Sequence, residues 1–121
     1  MNHPIVWFDI RAANLKRAQK FYGKAFGWKF EKFPEIDYWR ISTGGMQALN
    51  KGGLGQRKGK NTGYLNFIGV PSVARSVAKV KKLGGKVVTP RTAVPNHGAF
   101  AVCRDTENNV FALWETKWTG K

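Results

Sequence analysis

Residues 5–28 read IVWFDIRAANLKRAQKFYGKAFGW, and this stretch decides the fold. In 5–11, Val6, Phe8 and Ile10 alternate with Trp7, Asp9 and Arg11, the period of a strand with two distinct faces. Asn14 then has the chemistry of a helix N-cap. Leu15, Ala18, Tyr22, Ala25 and Phe26 follow at helical spacing, and Gly27 is a good stop. A strand that feeds a capped helix must bury one face of each against the other.

The chain continues in the same vein. Residues 28–33 (WKFEKF) and 37–43 (DYWRIST) read as strands, Gly44-Gly45 as a turn, and 46–50 (MQALN) as a short fourth strand. Residues 51–63 (KGGLGQRKGKNTG) read as a Gly- and Lys-rich linker. A P-loop does not fit there, since Leu54 stands where the first glycine belongs and Asn61 follows Gly59-Lys60. Then the order starts again. Residues 64–70 are a strand, Ser72 a cap, and Val73, Val77, Val80 and Leu83 one helix face closed by Gly84-Gly85. Residues 86–89 are a strand, 90–98 a Pro-containing loop, and 99–104 with 109–115 a hairpin. Leu15, Tyr22, Ala25 and Gly27 fall on Val73, Val80, Leu83 and Gly85 at one constant offset. The expected fold is therefore α+β: two βαβββ modules in tandem, about 1–50 and 64–121, in a single domain. Their sheets are expected to form a concave, cup-like mixed sheet with the helices on the outer face.

Composition bounds the chemistry. The chain has 121 residues, 21 Lys+Arg against 7 Asp+Glu, and 42% hydrophobic residues, so its +14 charge sits on a chain able to build a core. No apolar run reaches the length of a membrane span, and the start MNHPIVWFDIRAAN does not have the pattern of a signal peptide. The single cysteine, Cys103, cannot close an internal disulfide, which suits a reducing, cytoplasmic setting and an inert packed thiol. Only three residues are Cys or His, too few and too scattered for a structural zinc cluster.

The stretch from Trp7 to Trp28, with F-Y-x-x-x-F-G-W at its end, resembles the first module of the vicinal oxygen chelate superfamily. That is the glyoxalase, bleomycin-resistance and extradiol-dioxygenase group. N-F-I-G-V-P-S-V, L-G-G-K-V and D-T-E-N-N-V-F-A-L-W-E resemble its second module, and the likeness covers nearly the whole chain. The small members described as "predicted enzyme related to lactoylglutathione lyase" look nearest. The resemblance implies a ligand cup, a homodimer, and four metal-ligand positions on the cup face. By register these are Trp7, Ala48, Leu65 and Ala112. None carries a donor for a divalent ion, and an indole N–H only donates, so no metal and no cofactor is expected.

Alternation places Asp9 and Arg11 beside Trp7, and Trp114 beside Ala112. In glutathione-using relatives an arginine at the position of Arg11 contacts a substrate carboxylate. Asp9 and Arg11 either grip a polar ligand or neutralise one another as a structural pair. Trp7 and Trp114 either line the cup or fill it. His97 belongs to a loop that overhangs the cup in relatives. With Asp9 it is the candidate for acid–base catalysis. Lys16, Lys20 and Lys24 on one helix, and Arg75, Lys79 and Lys82 on the other, put the charge on outward faces. Three function classes follow. The first is a metal-free protein binding a small neutral or anionic, partly aromatic molecule through Trp7, Asp9, Arg11, Ala48, Leu65, Ala112, Trp114 and His97. The second is a metal-independent, lyase- or isomerase-like enzyme using Asp9, Arg11 and His97. The third is a basic protein that binds nucleic acid.

Overall fold

A computed structural model of the chain describes residues 2–44, 51–57 and 63–117. The described residues from Trp7 to Leu65 form one compact unit. Those from Asn66 onward form the other, together with the lead-in through Val6.

The first module runs β1 (Ile5–Ala12), α1 (Leu15–Phe26), β2 (Lys29–Lys32), β3 (Trp39–Ser42) and β4 (Gly52–Gln56). Asn14 caps α1, its side-chain oxygen accepting from the Arg17 N–H at 2.9 Å. Gly27 ends it at φ 74, a left-handed conformation that glycine adopts without strain, and donates its N–H to Gly23. The strands lie in the order β2-β3-β4-β1, with β2–β3 and β3–β4 antiparallel and β4–β1 parallel. Phe8, Ile41 and Leu54 form the core, with Ile10, Leu15, Ala18, Trp28, Phe30 and Trp39 packed around them. Ile41 and Leu54 are fully buried, and each contributes roughly 1.5–3 kcal/mol by leaving water.

The second module repeats the order: β5 (Tyr64–Gly69), α2 (Val73–Lys82), β6 (Lys86–Val94), β7 (Gly98–Arg104) and β8 (Val110–Thr116). Ser72 caps α2 through its hydroxyl to the Arg75 N–H. The strand order is β5-β8-β7-β6, again with the first and fourth strands parallel. Val70, Val73, Ala101, Cys103 and Leu113 are buried on the helix side. Cys103 is a packed free thiol whose pKa is pushed up by burial. The α+β class and the two βαβββ modules are thus the architecture of the chain.

Two sequence expectations need correction. Residues 51–63 are not a linker throughout, because Gly52–Gln56 are the buried strand β4. Their glycines mark aromatic rings lying against backbone, not flexibility. A β-carbon on Gly52 would fall within the Phe8 ring, and one on Gly53 within the Tyr38 ring. The strand expected at 46–50 lies outside the described residues. The loop expected at 90–98 is largely strand as well, since β6 extends to Val94. β6 is the last strand of its sheet, a place where proline is tolerated, and Pro90 falls where its pairing shifts register between Thr89 and Thr92.

Candidate ligand-binding face

On the first module, the face turned away from α1 carries Trp7, Asp9 and Arg11. Their neighbours Phe8 and Ile10 point into the helix-side core. The ladder sets Asp9 opposite Gly53, and Gly53 opposite Arg40, so Arg40 shares this face. Tyr38 and Phe33 complete it from the connection between β2 and β3, their rings stacked at 5.6 Å.

The polar groups form one chain of hydrogen bonds. Trp7 Nε1 donates to the Tyr38 hydroxyl at 2.7 Å, and that hydroxyl donates to Asp9 Oδ1 at 2.5 Å. Arg11 Nε donates to Asp9 Oδ2 at 2.7 Å in an ion pair. Asp9 is only 1% exposed, so both oxygens are committed inside the protein. Burial raises its pKa, and the bonds from Tyr38 and Arg11 pull it back only in part. Tyr38 is raised too, first by burial and then by the neighbouring Asp9 charge.

Arg11 engages Asp9 through Nε, which leaves its two terminal nitrogens outside that bond. Its side chain is 21% exposed. The Arg40 guanidinium lies 4.9 Å from the Phe33 ring and 5.9 Å from the Trp7 ring, a cation–π arrangement. Two arginines therefore sit on an aromatic floor, one fixed by a buried carboxylate and one by ring faces.

On the second module, Leu65 and Ala112 are buried. Trp114 is half-buried, and its indole donates to Thr116 Oγ1 at 3.1 Å. His97 lies exposed in the turn between β6 and β7, where its N–H donates to the Val94 carbonyl. Ala48 lies outside the described residues. The register exposes a shift at this position. Gly53 pairs with Asp9 as Ala112 pairs with Phe67, so Gly53 takes the strand-four place that the sequence assigns to Ala48.

By this register, the metal-ligand positions that the resemblance implies correspond to Trp7 and Gly53 in the first module and to Leu65 and Ala112 in the second. Indole, hydrogen, isobutyl and methyl groups offer no lone pair to a cation, so these residues do not fit a bound metal. Among the described residues no three His, Cys, Asp or Glu side chains gather into a metal-holding group. Sequence reasoning finds Trp7, Asp9 and Arg11 but misses Tyr38, Phe33 and Arg40. Two signals for Tyr38 are present: its alternation with Trp39, and the small residues at 53 and 55 that make room for its ring.

Residues 4–44 match the family model for the bleomycin resistance protein-like N-terminal region. "Putative glyoxylase CFP32" of Mycobacterium bovis and of Mycobacterium tuberculosis is 26% identical over 90% of the chain, which spans 44% of that relative's length. A glyoxalase/bleomycin resistance protein/dioxygenase superfamily member from Vibrio splendidus shares the fold. It has a TM-score of 0.61 and 9% identity, over 94% of this chain and 99% of that one. Methylmalonyl-CoA epimerase from Streptomyces coelicolor does so at TM-score 0.63 and 13% identity, over 94% and 97% of the two chains. Its repeated βαβββ modules, the matching stretch 4–44 and these relatives make the chain similar to the vicinal oxygen chelate superfamily, the glyoxalase and bleomycin-resistance group, and support that assignment.

Proposed function

We propose that this protein binds a small anionic, partly aromatic molecule on the helix-free face of its first module, and holds it without a metal. The observation that carries this reading is the tethered Arg11. Asp9 fixes the guanidinium through Nε, and the fork of terminal nitrogens is the part suited to a carboxylate or phosphate. Arg40, Trp7, Tyr38 and Phe33 supply cation and flat apolar surface beside it. A cationic ligand would meet two arginines and is disfavoured.

Binding is favoured over catalysis because Asp9 is buried with both oxygens hydrogen-bonded, which suits an orienting group better than a proton carrier. A cytoplasmic homodimer belongs to the same proposal through the family resemblance. No helix among the described residues is long and apolar enough to cross a membrane.

The test is a thermal-shift and calorimetric screen with benzoate, phenyl phosphate and benzylammonium. The two anions are expected to stabilise the protein and the cation not to. Arg11→Ala is expected to weaken anion binding about tenfold or more, and Arg11→Lys to recover little of it, since ammonium lacks the fork. Equal binding of the anions by wild type and Arg11→Ala sinks the proposal, as does no binding by either.

A further inference from the structure

Arg17, Lys20, Phe21, Lys24 and Ala25 line one shallow, open depression along α1. The spacing i, i+3, i+4, i+7 and i+8 puts them on a single helix stripe. Phe21 is 60% exposed in the midst of three cations, and Phe26, at the end of the helix, is 62% exposed. The helix holds no acidic residue, and Arg17, Lys20 and Lys24 pair with no carboxylate among the described residues. Such cations repel one another, and Phe21, though it meets Tyr22 and Phe26 edge-on, leaves most of its ring in solvent.

We propose that this face of α1 binds single-stranded nucleic acid, with phosphates on Arg17, Lys20 and Lys24 and an unpaired base stacked on Phe21. Lys20 and Lys24 stand about 6 Å apart along the helix axis, which suits successive phosphates of one strand. The exposed apolar groups of the stripe are a flat ring and a methyl group, with no Leu, Ile or Val beside them. A single flat ring set among three cations is the pairing of stacking platform and phosphate contacts that single-stranded nucleic acid uses. Stacking needs an unpaired base, so a duplex satisfies only the cations.

Fluorescence anisotropy with labelled oligo(dT), across a salt series, tests this. Wild type is expected to bind oligo(dT) in a salt-dependent way and more tightly than a duplex of the same length. Phe21→Ala and Phe21→Leu are each expected to weaken oligo(dT) binding about fivefold or more, with circular dichroism and melting unchanged. Leucine keeps the apolar bulk and loses the flat face. Lys20→Gln/Lys24→Gln is expected to lower the salt slope by about 1.4. Arg75→Gln/Lys79→Gln on α2 removes the same charge and is expected to cost much less. The proposal is overturned by equal losses from the α1 and α2 pairs, by Phe21→Leu binding like wild type, or by duplex binding as well as oligo(dT). It is also overturned if Phe21→Ala weakens sedimentation with phosphatidylserine vesicles and leaves oligo(dT) binding intact. That result would assign the face to a lipid surface.

Discussion

The phenol of Tyr38 donates a 2.5 Å hydrogen bond to Oδ1 of Asp9, a carboxylate only 1% exposed. Taking an anion out of water is costly unless donors replace the solvent, and Tyr38 and Arg11 are those donors. Tyr38→Phe leaves one oxygen of the buried carboxylate without its partner. It is expected to lower stability by about 1–3 kcal/mol at pH 7, read as a shift in urea midpoint at constant slope. Below pH 4 the loss should shrink, because a neutral carboxyl needs the donor less. A loss independent of pH would mean that Tyr38 acts through packing alone.

The raised pKa of Asp9 fixes a pH dependence. Its ordinary value is 3.8, and burial lifts it in the folded state. Folding therefore takes up protons at this site. The stability linked to it is complete below pH 3.8 and is lost as pH rises through the folded pKa. Asp9→Asn does not titrate. The stability of wild type minus that of Asp9→Asn is thus expected to fall as pH rises from 3 to 7, in denaturant titrations at each pH. A difference that rises with pH would show that Arg11 and Tyr38 overcome burial.

Gly53 has its own consequence. A β-carbon there would overlap the Tyr38 ring, whereas at Gly55 it would meet that ring at 3.0 Å. Gly53→Ala is expected to cost about 1–3 kcal/mol through displacement of Tyr38, and Gly55→Ala less. In a Tyr38→Ala background the cost of Gly53→Ala should largely vanish, which a double-mutant cycle measures. An unchanged cost would place the strain in the backbone and not in the ring.

The same glycines show how far the sequence can be read. Strand alternation in 5–11 and the Asn14–Gly27 helix bounds were legible because each is a local pattern with a physical cause on the spot. The repeat was legible because both modules use the same order of such patterns. β4 was not, because its apolar surroundings come from Phe8 and Tyr38, distant in sequence, while its own composition is that of a loop. The same masking moved the strand-four site position from Gly53 to Ala48. Tyr38, Phe33 and Arg40 are not legible locally, because a face is assembled across strands and their contacts depend on the β3–β4 and β4–β1 registers. Leu54 measures the point directly. In a linker, Leu54→Ala would change stability by less than about 0.5 kcal/mol, but as a fully buried core residue it is expected to cost about 2–5 kcal/mol.

The module registers also govern metals. Trp7, Gly53, Leu65 and Ala112 hold no donor, so millimolar Zn²⁺, Ni²⁺ or Mn²⁺ is expected to leave the melting temperature unchanged. A metal present in stoichiometric amount in purified protein, by elemental analysis, would overturn the assignment of these four positions.

The second module has a carboxylate of the opposite sense to Asp9. Glu115 accepts the Val73 N–H at 2.8 Å, at the start of α2, and its other oxygen meets Arg91 at 3.1 Å. The Val73 bond, then Arg91, lowers its pKa below the ordinary 4.5. A lowered carboxylate contributes stability that is present above pH 4.5 and lost as pH falls through its folded value. Its charge also complements the positive end of the helix. Glu115→Gln keeps an oxygen for Val73 but loses the charge. It is expected to destabilise by roughly 1 kcal/mol at pH 7 and by almost nothing at pH 3, in paired urea titrations. Glu115→Ala removes the acceptor as well and is expected to cost more, with the excess persisting at pH 3, where the uncharged carboxyl still accepts from Val73. Should Glu115→Gln lose as much at pH 3 as at pH 7, the interaction with α2 would be one of shape, and the lowered pKa would have no part in holding the module together.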